Sequence, residues 1–152
     1  MGKTYFLKVS IDTGIKRPNV EIEDSRIKVY SPSEGKKEIK DALRRWYRGK
    51  AQQVIEDRIK GLLEFSEKRP SVLKAKEQKK RWGSCTHHSR IYINWRIVMT
   101  PPAIIDYVLA HELSHLYYRD HSVEFWEKVS TFIPDYKKRR NWLRKNSVKI
   151  EL

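Results

Sequence analysis

Apolar and polar residues alternate along two N-terminal stretches of the chain, and this pattern predicts short β-strands. The stretches cover residues 4–11 and 20–31. Turn-forming residues follow the first stretch at Asp12-Thr13-Gly14 and interrupt the second at Glu23-Asp24-Ser25. The N-terminal region is therefore expected to form a small β-sheet.

The hydrophobic period changes to that of an amphipathic helix between residues 34 and 66. Gly49 lies inside this stretch and predicts a break, because glycine weakens a helix interior. Pro70 ends the region. The apolar residues at helical spacing are Ile39, Leu43, Trp46, Tyr47, Val54, Ile55, Ile59, Leu62 and Leu63.

The second half of the chain predicts a strand pair followed by helices. Residues 72–77 and 90–95 are expected to pair, with Ile91 to Asn94 as an exposed edge to which an extended peptide can add. The helices are predicted over residues 101–118, 122–132 and 135–146. For the first of them, Thr100 is the expected cap and Pro101-Pro102 the expected first turn.

The sequence His111-Glu112-Leu113-Ser114-His115 lies within the most apolar of these helices. Residues i and i+4 of a helix lie one above the other, so His111 and His115 can bind one cation. Glu112 lies one position further round, where it can reach water beside the metal. This arrangement suits zinc-dependent hydrolysis with Glu112 as the general base.

A catalytic zinc needs a third protein ligand, and His121 is the preferred candidate. The six-residue step from His115 to His121 equals that of metzincins. However, Tyr118 stands where metzincins have glycine, and no Met-turn is available because no methionine follows Met99. The alternative third ligands are Glu124 and Glu127, in a helix for which Ser122 is the expected N-cap.

Several further segments, in order and closely spaced, resemble the YgjP-like metallopeptidase family from about residue 74 to the C-terminus. The segment from His121 to Trp126 is also similar to SprT-like and Wss1-like proteases. The segments that carry the resemblance are Arg81-Trp82-Gly83-Ser84-Cys85, Ile93-Asn94-Trp95-Arg96, Ile105-Asp106-Tyr107-Val108, His121-Ser122 with Phe125-Trp126, and Pro134-Asp135-Tyr136-Lys137.

The resemblance implies a zincin-like α+β fold, with zinc on the three histidines and Glu112 as base. We expect a small antiparallel sheet packed against the long helix and the active-site helix, with a helical C-terminus. We expect one domain over residues 1–152, in which residues 1–70 hold the N-terminal strands and long helix and residues 71–152 form the zinc-site half. Longer relatives carry an additional N-terminal β-rich segment, so the chain is expected to be a short form or part of a longer protein.

Residues beside the zinc motif offer further roles. Arg96, Tyr136 and Arg140 are candidates for stabilising an oxyanion or binding a substrate carboxylate or phosphate, and the resemblance favours Arg96 and Tyr136. Asp106 is expected to act as a helix N-terminal carboxylate, with hydrogen bonding to a ligand imidazole as the alternative. Cys85 is expected to be a small buried residue, with a latency switch that caps the zinc as the alternative.

The net charge of +14, from 33 basic and 19 acidic residues, adds a second class of partner. Basic residues are concentrated before Trp82 and along the last predicted helix, so the surface is expected to attract nucleic acid or nucleotides. The alternatives to a peptidase are therefore a nucleoside triphosphate pyrophosphohydrolase and a basic, nucleic-acid-associated zinc domain acting as a DNA-stimulated protease. The basic residues are Lys74, Lys76, Lys79, Lys80 and Arg81, then Lys137, Lys138, Arg139, Arg140, Arg144, Lys145 and Lys149.

Composition also limits where the protein is expected to act. No stretch approaches the length of about 18 apolar residues that a membrane span needs. The N-terminus lacks the apolar core of a signal peptide. The single cysteine excludes an internal disulfide and fits a reducing compartment. We therefore expect a cytoplasmic protein that acts on peptides or proteins, and its oligomeric state stays open.

Overall fold

The computed structural model describes residues 2–150 of the chain. It contains two three-stranded sheets and four α-helices, and short 3₁₀ turns cover Trp95–Met99 and Ser147–Lys149. The strands are β1 (Phe6–Ile11), β2 (Asn19–Glu23), β3 (Arg26–Ser31), β4 (Val72–Lys76), β5 (Gly83–Cys85) and β6 (Arg90–Asn94); the helices are α1 (Lys36–Leu63), α2 (Pro102–Ser114), α3 (Val123–Phe132) and α4 (Tyr136–Asn146).

The α+β class is confirmed, but both sheets are mixed, and the expectation of a purely antiparallel sheet is wrong. In the first sheet β3 lies in the centre, parallel to β1 and antiparallel to β2. In the second sheet β6 lies in the centre, parallel to β4 and antiparallel to β5. Alternation along a strand shows which residues share a face, and it does not show which strand lies beside it.

Helix α1 continues through Gly49, so the predicted break is wrong. A side chain at Gly49 would meet nothing within 4 Å, because this position faces away from the packed side of the helix. Ala42 and Leu43 pack in the hydrophobic cluster under the first sheet, while Ile55 packs in the larger cluster under the second. Packing at both ends of α1 therefore outweighs the low helix propensity of glycine.

The central strand of the second sheet is β6, and Ile91 and Ile93 are fully buried there. The expectation that residues 91–94 form an exposed edge is wrong. The edge strands are β4 and β5, and β5 lies against α2. Its three residues, Gly83-Ser84-Cys85, are too few to show the alternation from which a strand is predicted.

Helix α2 carries the histidine motif and ends at Ser114, four residues before the predicted end. The prolines lie at its start as expected, but Thr100 does not cap it, since its hydroxyl donates to the carbonyl of Ile97 at 2.7 Å. Asp106 accepts two hydrogen bonds from Arg58 of α1, at 2.6 and 2.7 Å. This ion pair fixes α2 against the long helix.

Within residues 2–150, no helix has both the length and the apolar character needed to cross a membrane.

Candidate metal centre

The three histidines of the sequence motif come together at the end of α2. His111 lies in the last turn of the helix, His115 is its C-terminal cap, and His121 precedes α3. One ring nitrogen from each lies within 4.8 Å of the other two. The Nε2 atoms of His111 and His121 are 3.2 Å apart, so two nitrogen ligand atoms lie close enough to bind one metal ion.

Phe125 of α3 holds the three imidazoles in place. Its ring centroid lies 4.9, 4.5 and 4.8 Å from those of His111, His115 and His121, and its side chain is fully buried. Ser122 caps α3 as predicted, because its hydroxyl accepts a hydrogen bond from the Phe125 amide at 3.4 Å. The cap thus fixes the start of the helix that supports the histidines.

Burial favours the neutral form of His111 and His115, which is the form that binds a metal. It lowers the pKa of His111 to about 3, and the neighbouring imidazoles of His115 and His121 act in the same direction. The Nδ1 atom of His115 lies 3.0 Å from the carbonyl of Tyr118, a bond that directs Nε2 towards the cluster. A cluster of three imidazoles fits a divalent metal ion, which needs unprotonated nitrogen donors.

Glu112 lies beside this cluster, with only 5% of its surface exposed. Burial raises the pKa of its carboxyl to about 8, against a smaller opposing effect of Arg81. Its Oε2 atom has no hydrogen-bond partner within the described part of the chain. The carboxyl lies over Gly83 of β5, where an added Cβ would come within 2.4 Å of Oε1. The site therefore joins a metal-binding cluster to a buried carboxyl that can exchange protons near neutral pH.

A comparison with known families agrees with this geometry. The model of the YgjP-like, metallopeptidase domain matches residues 1–146. The chain belongs to the YgjP-like metallopeptidase family. The match includes β1 to α1, which lie before the segments that carried the resemblance in the sequence. No curated protein matches the chain. Family membership and the three-histidine cluster together indicate a metal-dependent hydrolase.

Three further side chains of this YgjP-like domain form the rim of the site. Trp126 stacks on His121 at a centroid distance of 5.7 Å, and Tyr136 stacks on Trp126 at 5.3 Å. The guanidinium of Arg140 lies 4.5 Å from the centroid of Trp126. Trp126 is therefore half-buried beside the histidines. Tyr136 and Arg140 both contact its ring.

Tyr107 is a residue near the site to which the sequence gave no role. It is buried one helical turn before His111, with the two ring centroids 6.1 Å apart. Burial raises the pKa of its hydroxyl to about 12, so it stays protonated. The sequence could have indicated this position, because Tyr107 and His111 are four residues apart and therefore lie on the same face of α2.

Arg96 lies away from the histidines. It pairs with Glu77 and lies over the ring of Trp95, on the wall of a groove whose lining residues include no histidine. Glu77 already binds the guanidinium, and the contact of Arg96 with an oxyanion stays a prediction.

The alternative metal ligands and the cysteine lie outside the three-histidine cluster. Glu124 and Glu127 are exposed on α3, outside the three-histidine group. Cys85 is a free, half-buried thiol, and burial raises its pKa. The Arg119 guanidinium lies 3.8 Å from its sulfur and donates to the carbonyl of Thr86 at 2.7 Å, which ties the edge strand to the turn after α2.

Proposed function

We propose that this YgjP-like chain is a zinc-dependent peptidase, with zinc on His111, His115 and His121 and with Glu112 as the general base. The observation that carries the proposal is the convergence of three imidazoles beside a buried carboxyl with no partner for its Oε2. Three nitrogen ligands leave one coordination position open, as in catalytic zinc sites.

Glu112 would move the protons of the reaction. When bound, zinc supplies Lewis acidity that polarises the scissile carbonyl. Glu112 takes a proton from the attacking water and returns it to the leaving amine nitrogen. Burial raises the pKa of this carboxyl to about 8 in the metal-free protein. A dication bound by the neighbouring histidines would lower it, so that the carboxylate can accept the proton.

The edge strand β5 supplies a place for an extended peptide. It pairs with β6 on one side, and among the described residues no strand pairs with its other side. Because β5 lies against α2, a peptide added to this free edge would run past the histidine cluster. Tyr136 and Arg140, on the rim formed with Trp126, are the side chains that we expect to contact it.

Peptide hydrolysis by a Glu112→Gln variant tests the proposal. With a fluorogenic peptide library, we expect its rate to fall by about 10²–10⁴-fold while zinc content stays that of the wild type, because the neutral amide cannot accept a proton. Glu124→Gln is the matched control, since it makes the same change at an exposed glutamate. A Glu112→Gln variant as active as the wild type would overturn the role of Glu112.

Hydrolysis of nucleoside triphosphates to monophosphate and pyrophosphate is the second candidate. Lys137, Arg140 and Arg144 of α4 line one surface depression close to Trp126, and such cations suit phosphate groups. Pyrophosphate release from the four ribonucleoside triphosphates, measured with the Glu112→Gln variant as control, decides between the two. Release that depends on Glu112, without peptide cleavage, would favour this candidate.

A further inference from the structure

A second concave surface is lined by the segment from Glu77 to Trp82, and we call it the basic groove. It encloses about 540 Å³. Its lining contains a single acidic residue, Glu77. The cations that line it are Lys40, Arg44, Lys79, Lys80, Arg81 and Arg96.

We propose that the basic groove, together with the basic face of α4, binds the phosphodiester backbone of a single-stranded nucleic acid. The proposal concerns binding alone and does not depend on the peptidase activity.

Most of the charge in the basic groove is not neutralised by the protein. Glu77 pairs with Arg96, and Asp41 pairs with Arg44. Within residues 2–150, the other four cations of the groove make no ion pair. Like charges gathered around one concavity repel each other, so the groove is stabilised by a ligand that carries several negative charges.

Helix α4 extends this positive surface beyond the groove. Ser147, Val148 and Ile150, which follow α4, form part of the groove wall. On α4 itself, Lys137, Arg140 and Arg144 share one face because they are three and four residues apart. From residue 137 to residue 148 a helical rise covers about 16 Å. A ligand that contacts both parts must therefore be extended, which excludes an isolated phosphate.

An aromatic ring in the basic groove favours a single strand. Trp82 is half-buried and lines the groove. Grooves that combine cations for the backbone with an aromatic ring for unpaired bases are typical of single-strand binding. A duplex keeps its bases stacked inside and cannot offer them to this ring.

Binding is tested by fluorescence anisotropy with fluorescein-labelled dT15 and rU15 between 50 and 300 mM NaCl. The groove variant combines Lys79→Gln, Lys80→Gln and Arg144→Gln. The matched control combines Lys16→Gln, Arg17→Gln and Lys36→Gln, which removes the same three charges from exposed positions elsewhere. The two labelled strands distinguish DNA from RNA as the source of the phosphates.

We expect the groove variant to bind at least tenfold more weakly, with a salt-dependence slope smaller by about 2, because each lost phosphate contact changes it by about 0.7. The control should lose less than about threefold. Equal losses in both variants would overturn the proposal, because binding would then depend on the total positive charge and not on the basic groove. Equal binding of duplex DNA, or equal competition by polyglutamate of the same charge, would overturn the assignment to a single strand.

Photocrosslinking of the unaltered protein gives a test that does not depend on the folding of a variant. A 15-mer carrying 5-bromodeoxyuridine is crosslinked, and the attached peptides are identified by mass spectrometry. Crosslinks within residues 79–82 and 137–148 support the proposal. Crosslinks confined to other segments overturn it.

Discussion

Gly83 of the edge strand lies directly against the carboxylate of Glu112. A Cβ at Gly83 would lie 2.4 Å from Oε1 and 2.6 Å from Cγ of Glu112. The second distance matters because Cγ, unlike the end of a flexible side chain, cannot move aside without turning the whole side chain. The Glu112 carboxyl can therefore occupy this position only because residue 83 of the neighbouring strand is a glycine.

A Gly83→Ala substitution should therefore lower kcat for peptide hydrolysis while zinc content is unchanged. The added methyl group displaces the Glu112 carboxyl, and we expect a loss of about tenfold or more because proton transfer depends on position. Steady-state kinetics and metal analysis on the same preparations measure both quantities. Ser84→Ala, the next residue of β5, is the control; equal activity of Gly83→Ala and the wild type would contradict the expectation.

The pH dependence of stability in metal-free protein should change in a Glu112→Gln variant. The folded carboxyl keeps its proton up to about pH 8, whereas an unfolded one releases it near its ordinary value of 4.5. Between these values the folded state binds more protons, so the free energy of unfolding falls as pH rises. The Glu112→Gln variant lacks this titrating group, so its free energy of unfolding should fall less as pH rises.

Urea unfolding of chelator-treated protein between pH 5 and pH 9 measures this effect. We expect the wild type to lose on the order of 3 kcal/mol relative to Glu112→Gln over this range. All other groups titrate in both proteins, so the difference isolates Glu112. Parallel stability curves would show that the carboxyl is ionised when buried.

Replacement of His121 by alanine should remove most of the bound metal. We expect about one zinc per wild-type chain, because the three imidazoles complete the protein part of a catalytic site. Mass spectrometry of metal content after dialysis measures the loss. His88→Ala is the matched control, since His88 is exposed in the turn before β6. Full zinc content in His121→Ala would shift the third-ligand role to Glu124 or Glu127.

Truncation of Phe125 to alanine should affect both stability and metal affinity. Loss of this fully buried ring is expected to cost about 3–5 kcal/mol of unfolding free energy. Because the ring touches all three imidazoles, zinc affinity should also fall by about tenfold or more. Val129→Ala, one turn further along α3, is expected to cost about 2 kcal/mol and to leave zinc affinity unchanged. Equal zinc affinity in both variants would contradict this role for Phe125.

The sequence predicts the helices of the second half and most of the strands, because their hydrophobic periods are local properties. It misses β5 because three residues are too short for a period, and it misses the parallel pairing of β1 with β3 because pairing depends on distant residues. It also predicts a break at Gly49, since propensity is local whereas the packing that keeps α1 continuous is not.

In the metal centre, too, the sequence predicts what depends on local spacing and misses what depends on contacts between distant residues. His111 and His115 are four residues apart on one helix, so the sequence alone predicts that they meet. His121 comes close as expected, through the turn before α3. The roles of Gly83 and Trp126 were missed because they depend on contacts across the fold. The role of Arg96 stays a prediction, and the sequence did not show its ion pair with Glu77, which lies on another segment.

Tyr47 of α1 packs against both hydrophobic clusters, and its ring stacks on that of Trp95 at 6.0 Å. The cluster under the first sheet is the smaller of the two, and we expect it to open locally while the larger one stays closed. Metal binding raises the free energy of opening only for the part of the protein that releases the metal when it opens, which is the part that contains α2. Amide protons of α2 would then exchange more slowly with solvent deuterium once metal is added, while those of β1 to β3 would keep their rates.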